Sequence, residues 1–486
     1  MKIVNTIGPR GDAGTAMNVA ERIYVASASD GECASRLAEE LARRIEDDIA
    51  ALGLMPGASL GSLRVLAERY RIGRAVAREA VGLLERRGLG RMRPGPSGGF
   101  ILAKPQLCAV AAELTEHFRS SGVTVRNLLD AREIVDLMSA RMAAMAKPSE
   151  PELQRLDCCT ATGPLGGLLE MQAQVARLAQ QPALVLLIEC LNRLTLEFIG
   201  AGTAVSATAA AGAVAQMRSA LQAGCVAAAE AAAACAHRAL IAELARPHLT
   251  VQALESTTAA DRPASLPALI ARQLAAQITR SGHAGARLGS EWDLCEQFGV
   301  SRLTLRQAIR LLQDSGLVEC RRGRGNGLVV RDRRAAGSIR LVLAALIGEK
   351  LDPIAAGTLL LQLNCFVPAL AVSRADPEQR ARLAAAIARL QRESSIERCD
   401  LLSLVQTVSR LADSPIIDLF SRCFAAYEAR FRTSLAARLP ASAHTSYFQL
   451  LHRLLERIPA APVSAPEWAK QESAALLLQM SLGRPI

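Results

Sequence analysis

Arg302, Arg306 and Arg310 recur every four residues in the second half of this 486-residue chain, and Arg74 and Arg78 repeat the spacing in the first half. On a helix of 3.6 residues per turn, that spacing stacks guanidinium groups along one face. A guanidinium is planar, always charged and carries its donors in a fixed fork, which suits guanine edges and phosphate oxygens. A plain solvated basic face is the alternative reading. Recurrence of the row in both halves, behind the same tight turn, favours a polyanion. More cations and glycines follow downstream. Arg321, Arg322 and Arg324 sit beside Gly323, Gly325 and Gly327, and Arg93-Pro94-Gly95-Pro96-Ser97-Gly98-Gly99 stands at the matching place in the first half. A glycine-bearing tip lets backbone come close to a sugar–phosphate chain.

The elements that must position these arginines occur twice. Leu60–Ile101 aligns with Leu288–Val329 at a constant offset of 228, without a gap, and fifteen of the 42 positions are identical. Both copies read as one layout: a first helix (Ala34–Leu52 or Leu266–Arg280), a short helix (Leu63–Tyr70 or Glu291–Phe298), and a third after a tight turn (Arg74–Arg87 or Arg302–Asp314). Gly88 and Gly316 stand where a C′ glycine ends a helix. Arg91–Ile101 and Glu319–Val330 then carry hairpin patterning around glycine-rich turns. Leu305, Ile309 and Leu312 must face a core, which turns Arg302 and Arg306 outward; Ala77, Val81 and Leu84 do the same for Arg74 and Arg78. Ser301 is a suitable N-cap for the second of these helices. Three helices and a hairpin make a winged helix-turn-helix.

The bulk numbers agree. A net charge of +11 suits a polyanion partner. Half of the residues are hydrophobic and only 3% aromatic, so the cores are expected to be aliphatic and helical. The twelve cysteines form no C-x-x-C pair and read as reduced packing residues, which implies a cytoplasmic setting. No signal peptide or membrane span is expected; residues 1–32 read as a flexible tail. The expected domains are a winged head at 33–104, a helical domain at 105–250, a linker and second head at 251–335, and a second helical domain at 336–486.

Both heads resemble the winged helix-turn-helix of GntR-family regulators, whose pattern runs PG-x-x-L, S-E-R-x-L-A, G-V-S-R, V-R-E-A-L and then the wing. The first copy carries Pro56-Gly57-Ala58-Ser59-Leu60, Leu66-Ala67, Arg74 and Arg78-Glu79-Ala80-Val81. The second carries Ser290-Glu291, Leu294, Gly299-Val300-Ser301-Arg302 and Leu305-Arg306-Gln307-Ala308-Ile309. The resemblance implies DNA contacts from Arg64, Arg74, Arg78, Gly98 and Gly99 in the first head. In the second it implies Arg302 and Arg306, with Arg310 added by the spacing, and Arg322, Arg324 and Gly325 in the wing. The copies depart from the pattern at different places. Trp292 replaces an arginine, Gly73 replaces the turn serine, and Leu63 replaces a glutamate.

The segments after each head resemble the helical effector and dimerisation domain of the FadR-like branch, called FCD. Leu129-Asp130-Ala131-Arg132 with Asp136, Gln181-Pro182-Ala183-Leu184 and Ser414-Pro415-Ile416-Ile417 carry that weaker likeness. Many such domains hold a divalent metal through one Asp and three His. Here those positions fall at Leu168, Gln172 and near Val214, and His237 alone matches. No metal and no cofactor are therefore expected. His237 reads as an ordinary helix histidine or a remnant of an effector site, and His452 as a helix histidine. Arg132 reads as an anion partner for an effector or as a structural ion pair with Asp130 or Asp136.

The expected fold is mainly α, with two winged helix-turn-helix heads each followed by a helical bundle. The expected function is a sequence-specific transcriptional regulator, a repressor, acting as a pseudo-dimer within one chain. Its partners are double-stranded DNA, a small carboxylate-type effector and a second copy of the chain. The competing reading is a degenerate duplicate that coats DNA or dimerises without an effector. No nucleophile–base set or phosphate loop supports an enzyme; Arg321–Gly327 lacks the strand–turn–helix setting of a P-loop.

Overall fold

The computed structural model describes residues 33–95, 98–159, 163–199, 205–244, 266–281, 285–314, 316–320, 327–330, 335–392, 398–431, 441–458 and 469. The chain forms two compact units, and each draws on both halves of the sequence. One unit takes in residues 25–121 and 255–351, the other 122–254 and 352–486.

In the first unit, α1 (Cys33–Ala51), α2 (Leu63–Arg69) and α3 (Arg74–Arg86) precede β1 (Gly90–Arg93) and β2 (Gly99–Leu102), and α4 (Leu107–Ser120) follows. The second copy runs α11 (Leu266–Ser281), β3 (Arg287–Gly289), α12 (Glu291–Phe298), α13 (Arg302–Asp314), β4 (Val318–Cys320), β5 (Leu328–Val330) and α14 (Ala335–Gly348). Local signals explain the boundaries. Ser62 and Ser290 cap α2 and α12 by accepting from Val65 N and Asp293 N. Ser301 Oγ accepts from Thr304 N at 3.2 Å, whereas Gly73, its counterpart, offers α3 no side-chain cap. Gly88 and Gly316 adopt φ of 77° and 73° just past α3 and α13, the left-handed step that ends a helix.

The hairpins repeat residue for residue. β1 pairs with β2 through Arg91↔Ile101, and β4 with β5 through Glu319↔Val329. A third strand was not expected: β3 pairs with β5 through Arg287↔Val329, and an isolated bridge, Ser59↔Ile101, takes the same place in the first copy. One pair of glycines fastens each wing root. A Cβ on Gly99 would meet Gly61 O at 2.6 Å, and one on Gly327 would meet Gly289 O at 2.4 Å. These glycines are repeated because two backbones touch there.

Behind α3 lie Ile45, Leu66 and Phe100, all fully buried, as is Leu84 on the helix itself. Behind α13 lie Leu274, Ile278, Leu294 and Leu328. The first core also holds an ion pair, Arg87 Nη1 to Glu46 Oε1 at 2.6 Å, with side chains 2% and 3% exposed. At the offset of 228, Leu274 replaces Glu46 and is fully buried. The second copy thus has an aliphatic side chain where the first has a buried charge.

The two heads touch within their unit. α3 packs on α13, and α14 packs on α4 and α1. Arg310 Nε lies 3.6 Å from Glu79 Oε2, Arg340 Nη1 2.8 Å from Glu39 Oε1, and Lys104 Nζ 2.8 Å from Glu349 Oε2. Helices α4 and α14, expected in the helical domains, are grouped with the heads.

The second unit is all helical among its described residues. Its first set is α5 (Val125–Ala146), α6 (Glu150–Asp157), α7 (Pro164–Leu178), α8 (Pro182–Ile199), α9 (Ala207–Gln222) and α10 (Val226–Leu244). Its second set is α15 (Pro353–Arg374), α16 (Pro377–Arg392), α17 (Arg398–Leu411), α18 (Pro415–Phe431) and α19 (Ala441–Arg457). Helix α5 packs on α7, α8 and α10, and also on α15 and α18 of the other set. Arg374 pairs with Asp130 across that junction, and Asn127 Nδ2 donates to Asp413 O at 2.8 Å. Helix α15 has the length and apolar composition of a membrane span, but 71% of its most apolar stretch is buried against the rest of the protein.

Breaking the buried pair in the first head should be costly, because a charge would be left alone in the core. Glu46→Ala is expected to destabilise that head by about 3–5 kcal/mol in urea unfolding. Glu46→Leu combined with Arg87→Met should recover most of the loss.

Candidate nucleic-acid interface

On α3, Arg74 and Arg78 are exposed, and neither side chain has a partner among the described residues. On α13, Arg302 and Arg306 are exposed at the same places but are engaged. The Arg302 guanidinium lies over the Trp292 ring, 5.3 Å from its centroid. Arg306 Nε donates to Glu291 Oε2 at 3.0 Å. Arg64, on α2, pairs with Glu68 at 2.8 Å, and both side chains are well exposed. Surface pairs of this kind are worth little and exchange readily for a phosphate.

Three expected contact positions are not open in the way that Arg74 and Arg78 are. Arg310 does not share the exposure of Arg302 and Arg306. It turns toward Glu79 of the other head and donates to Gln313 Oε1 at 3.0 Å. Gly99 is buried in β2 against Gly61 rather than standing at a wing tip. Gly98 is half-buried, and its N–H donates to Gly95 O at 2.9 Å. Arg322, Arg324 and Gly325 fall outside the described residues, as does the expected tail at 1–32.

Two cations on the first wing were not among the expected contacts. Arg91 and Arg93 are both exposed on β1, one on each side of half-buried Met92. Strand alternation in Arg91-Met92-Arg93 was the available signal. The Met92 N–H donates to Glu85 Oε1 at 2.7 Å, which ties the strand to α3.

The heads match the family described as bacterial regulatory proteins, gntR family, over residues 37–98 and 268–328. Both heads are winged helix-turn-helix units similar to that family. The chain is also similar to the HTH-type transcriptional regulator LutR of Bacillus subtilis, 31% identical over 103 residues. It is 39% identical over 106 residues to an uncharacterized HTH-type transcriptional regulator of Mycobacterium tuberculosis. Each match covers 21% of this chain, and 46% and 42% of those proteins, so the chain spans less than half of either relative. A solved structure, Streptococcus agalactiae GntR, is 21% identical with a TM-score of 0.32, covering 42% of this chain and 98% of that one.

Beyond the GntR-type heads, the expected effector residues sit in the helical unit. Arg132, on α5, is fully buried and largely occupied. It donates to Thr195 Oγ1 at 2.9 Å, to Asn192 Oδ1 at 3.0 Å and to Gln172 Oε1. Gln172 Nε2 in turn donates to Asp136 Oδ2 at 2.8 Å, and Arg132 Nε lies 3.8 Å from that oxygen. Of the two expected ion-pair partners, Asp136 is beside Arg132, while Asp130 faces Arg374. A cavity of about 10 Å³ adjoins Asp136, Ser139, Gln172 and Met217, room for roughly one water. Asp136 Oδ1 and Ser139 Oγ have no hydrogen-bond partner among the described residues. His237 is buried on α10 but does not line the cavity.

A metal does not fit this place. Among the described residues no three His, Cys, Asp or Glu converge. Gln172 is committed to Arg132 and Asp136, and the Arg132 guanidinium already supplies the cation.

Burial pushes the Asp136 carboxyl up to about 6, against the pull of Arg132. Between about pH 4 and 6 the folded chain therefore holds a proton that the unfolded chain, with an ordinary carboxylate near pH 4, has lost. The charged carboxylate weighs against folding at neutral pH, and acidification through 6 relieves it. Between pH 7 and pH 5, the wild type should gain urea stability relative to Asp136→Asn. Parallel pH profiles for the two proteins would remove Asp136 as the titrating group.

Proposed function

We propose that this chain is a sequence-specific transcriptional regulator of GntR type that grips one DNA duplex with both of its heads. The observation that carries the reading is the pair of exposed arginines at the start of each post-turn helix. Arg74 and Arg78, and Arg302 and Arg306, are each held outward by an aliphatic core. The N-terminal residues of such a helix reach base edges in the major groove, while wing cations such as Arg91 and Arg93 meet phosphates.

The two heads act together as a pseudo-dimer, a reading supported by the α3–α13 packing and the Arg310–Glu79 pair. The helical segments are FCD-like and join the two halves through α5, α15 and α18. The regulator acts as a repressor, by occupying promoter DNA in the cytoplasm. Effector control would run through the Arg132–Gln172–Asp136 cluster, whose cavity must widen before a small carboxylate can reach the guanidinium. A second reading, a duplicate that coats DNA without reading it, draws on the engaged state of Arg306 and Arg310 in the second head.

Competition between a selected duplex and random DNA at physiological salt separates the two. The regulator should prefer its site by at least about a thousandfold, with one chain per duplex. Arg78→Ala should cost about 1–3 kcal/mol. Arg306→Ala should cost less, because Glu291 already holds that side chain. Equal affinity for random DNA would establish the coating reading instead, and two chains per duplex would remove the pseudo-dimer.

A further inference from the structure

The two heads differ at the points where they would face the groove. At the offset of 228, Leu63 corresponds to Glu291, Arg64 to Trp292 and Ala75 to Leu303. Each change makes the second head less open as a cationic reader. Glu291 ties down Arg306, Trp292 lies under Arg302, and Leu303 adds a bare aliphatic side chain. Trp292 and Leu303 are 64% and 57% exposed, among the most exposed large apolar side chains of the described residues. They stand second in α12 and α13, on either side of the helix-turn-helix turn, in the company of Arg302 and Arg306. Neither belongs to the core cluster behind α13.

We infer that Trp292 and Leu303 form an apolar reading patch for thymine methyl groups, so that the second head selects T-rich sequence while the first reads guanine through Arg74 and Arg78. The inference rests on the DNA-binding reading above and deepens it. The occupant follows from the chemistry. Arg302 and Arg306 favour a polyanion, and the apolar feature of the major groove is the C5-methyl of thymine. With its guanidinium over the Trp292 ring, Arg302 is held where it can grip a phosphate while the indole edge and Leu303 meet base methyls. An indole at that place offers guanine no donor fork, which only Arg64, in the other head, retains.

Replacing thymine by uracil deletes one methyl and leaves base pairing intact. The full chain first enriches a duplex from random DNA, and each thymine of that duplex is then replaced singly. Sensitive positions should cluster in one half-site, each losing about fourfold in affinity, the worth of one buried carbon. Trp292→Ala, at an exposed position, should erase part of that cluster and leave the other half-site unchanged. Trp292→Arg should shift the preferred base there toward guanine. The inference is overturned if wild type and Trp292→Ala share one uracil profile, or if no thymine is sensitive in a duplex that the chain binds tightly. Enrichment of no sequence at all would instead overturn the DNA-reading function itself, and this inference with it.

Discussion

A helix that must bury one face cannot choose where its other face points. Leu305, Ala308, Ile309 and Leu312 are buried on α13, and Ala77, Ala80, Val81 and Leu84 on α3. Burying such a set is worth several kcal/mol, far more than any single surface contact of an arginine. The core therefore decides the direction of the guanidinium groups. The capping serines, the C′ glycines and the wing hairpin serve the same constraint, because each fixes where the helix starts, stops and is backed. The glycine clamps at Gly61/Gly99 and Gly289/Gly327 hold the hairpin at a backbone distance that no side chain would allow.

Duplication separates the parts of this device that are fixed from those that are free. The clamp glycines, the strand register and the aliphatic positions behind the third helix persist in both copies. The buried charge pair does not: Glu46 and Arg87 hold the first core, and Leu274 packs in the second. A buried ion pair and an aliphatic side chain of similar volume are energetically close alternatives, so such an exchange is tolerated where loss of a clamp glycine would not be.

The heads were legible because their signals are local. Helical spacing, turn residues and an ungapped self-alignment place three helices and a hairpin without reference to the rest of the chain. What the sequence did not reveal depends on partners far away along it. The direction of Arg310 is set by Glu79, 231 positions earlier. The short strand Arg287–Gly289 exists only because Val329 offers a free edge. Arg132 read as an anion partner or as a structural ion pair, because periodicity cannot show that Gln172, Asn192 and Thr195 converge on it. Asp130 and Asp136 were equal candidates on α5, and only the packing of α15 assigned Asp130 to Arg374.

The contact between the heads bears on why two copies should share one chain. In a symmetric dimer every contact occurs twice, and every substitution enters both halves. The Arg310–Glu79 pair has no such reciprocal. Its mirror positions are Gly82 and Gln307, which cannot form an ion pair. The head-to-head contact therefore joins equivalent helices whose surfaces have diverged in chemistry. Covalent linkage removes the demand that one sequence suit both sides of a dyad. Glu291, Trp292 and Leu303 could then arise in one head while Leu63, Arg64 and Ala75 stayed in the other. On the proposed function, an asymmetric reader of DNA is the outcome open to one chain with two heads, and no dimer of identical chains can reach it by the same substitutions.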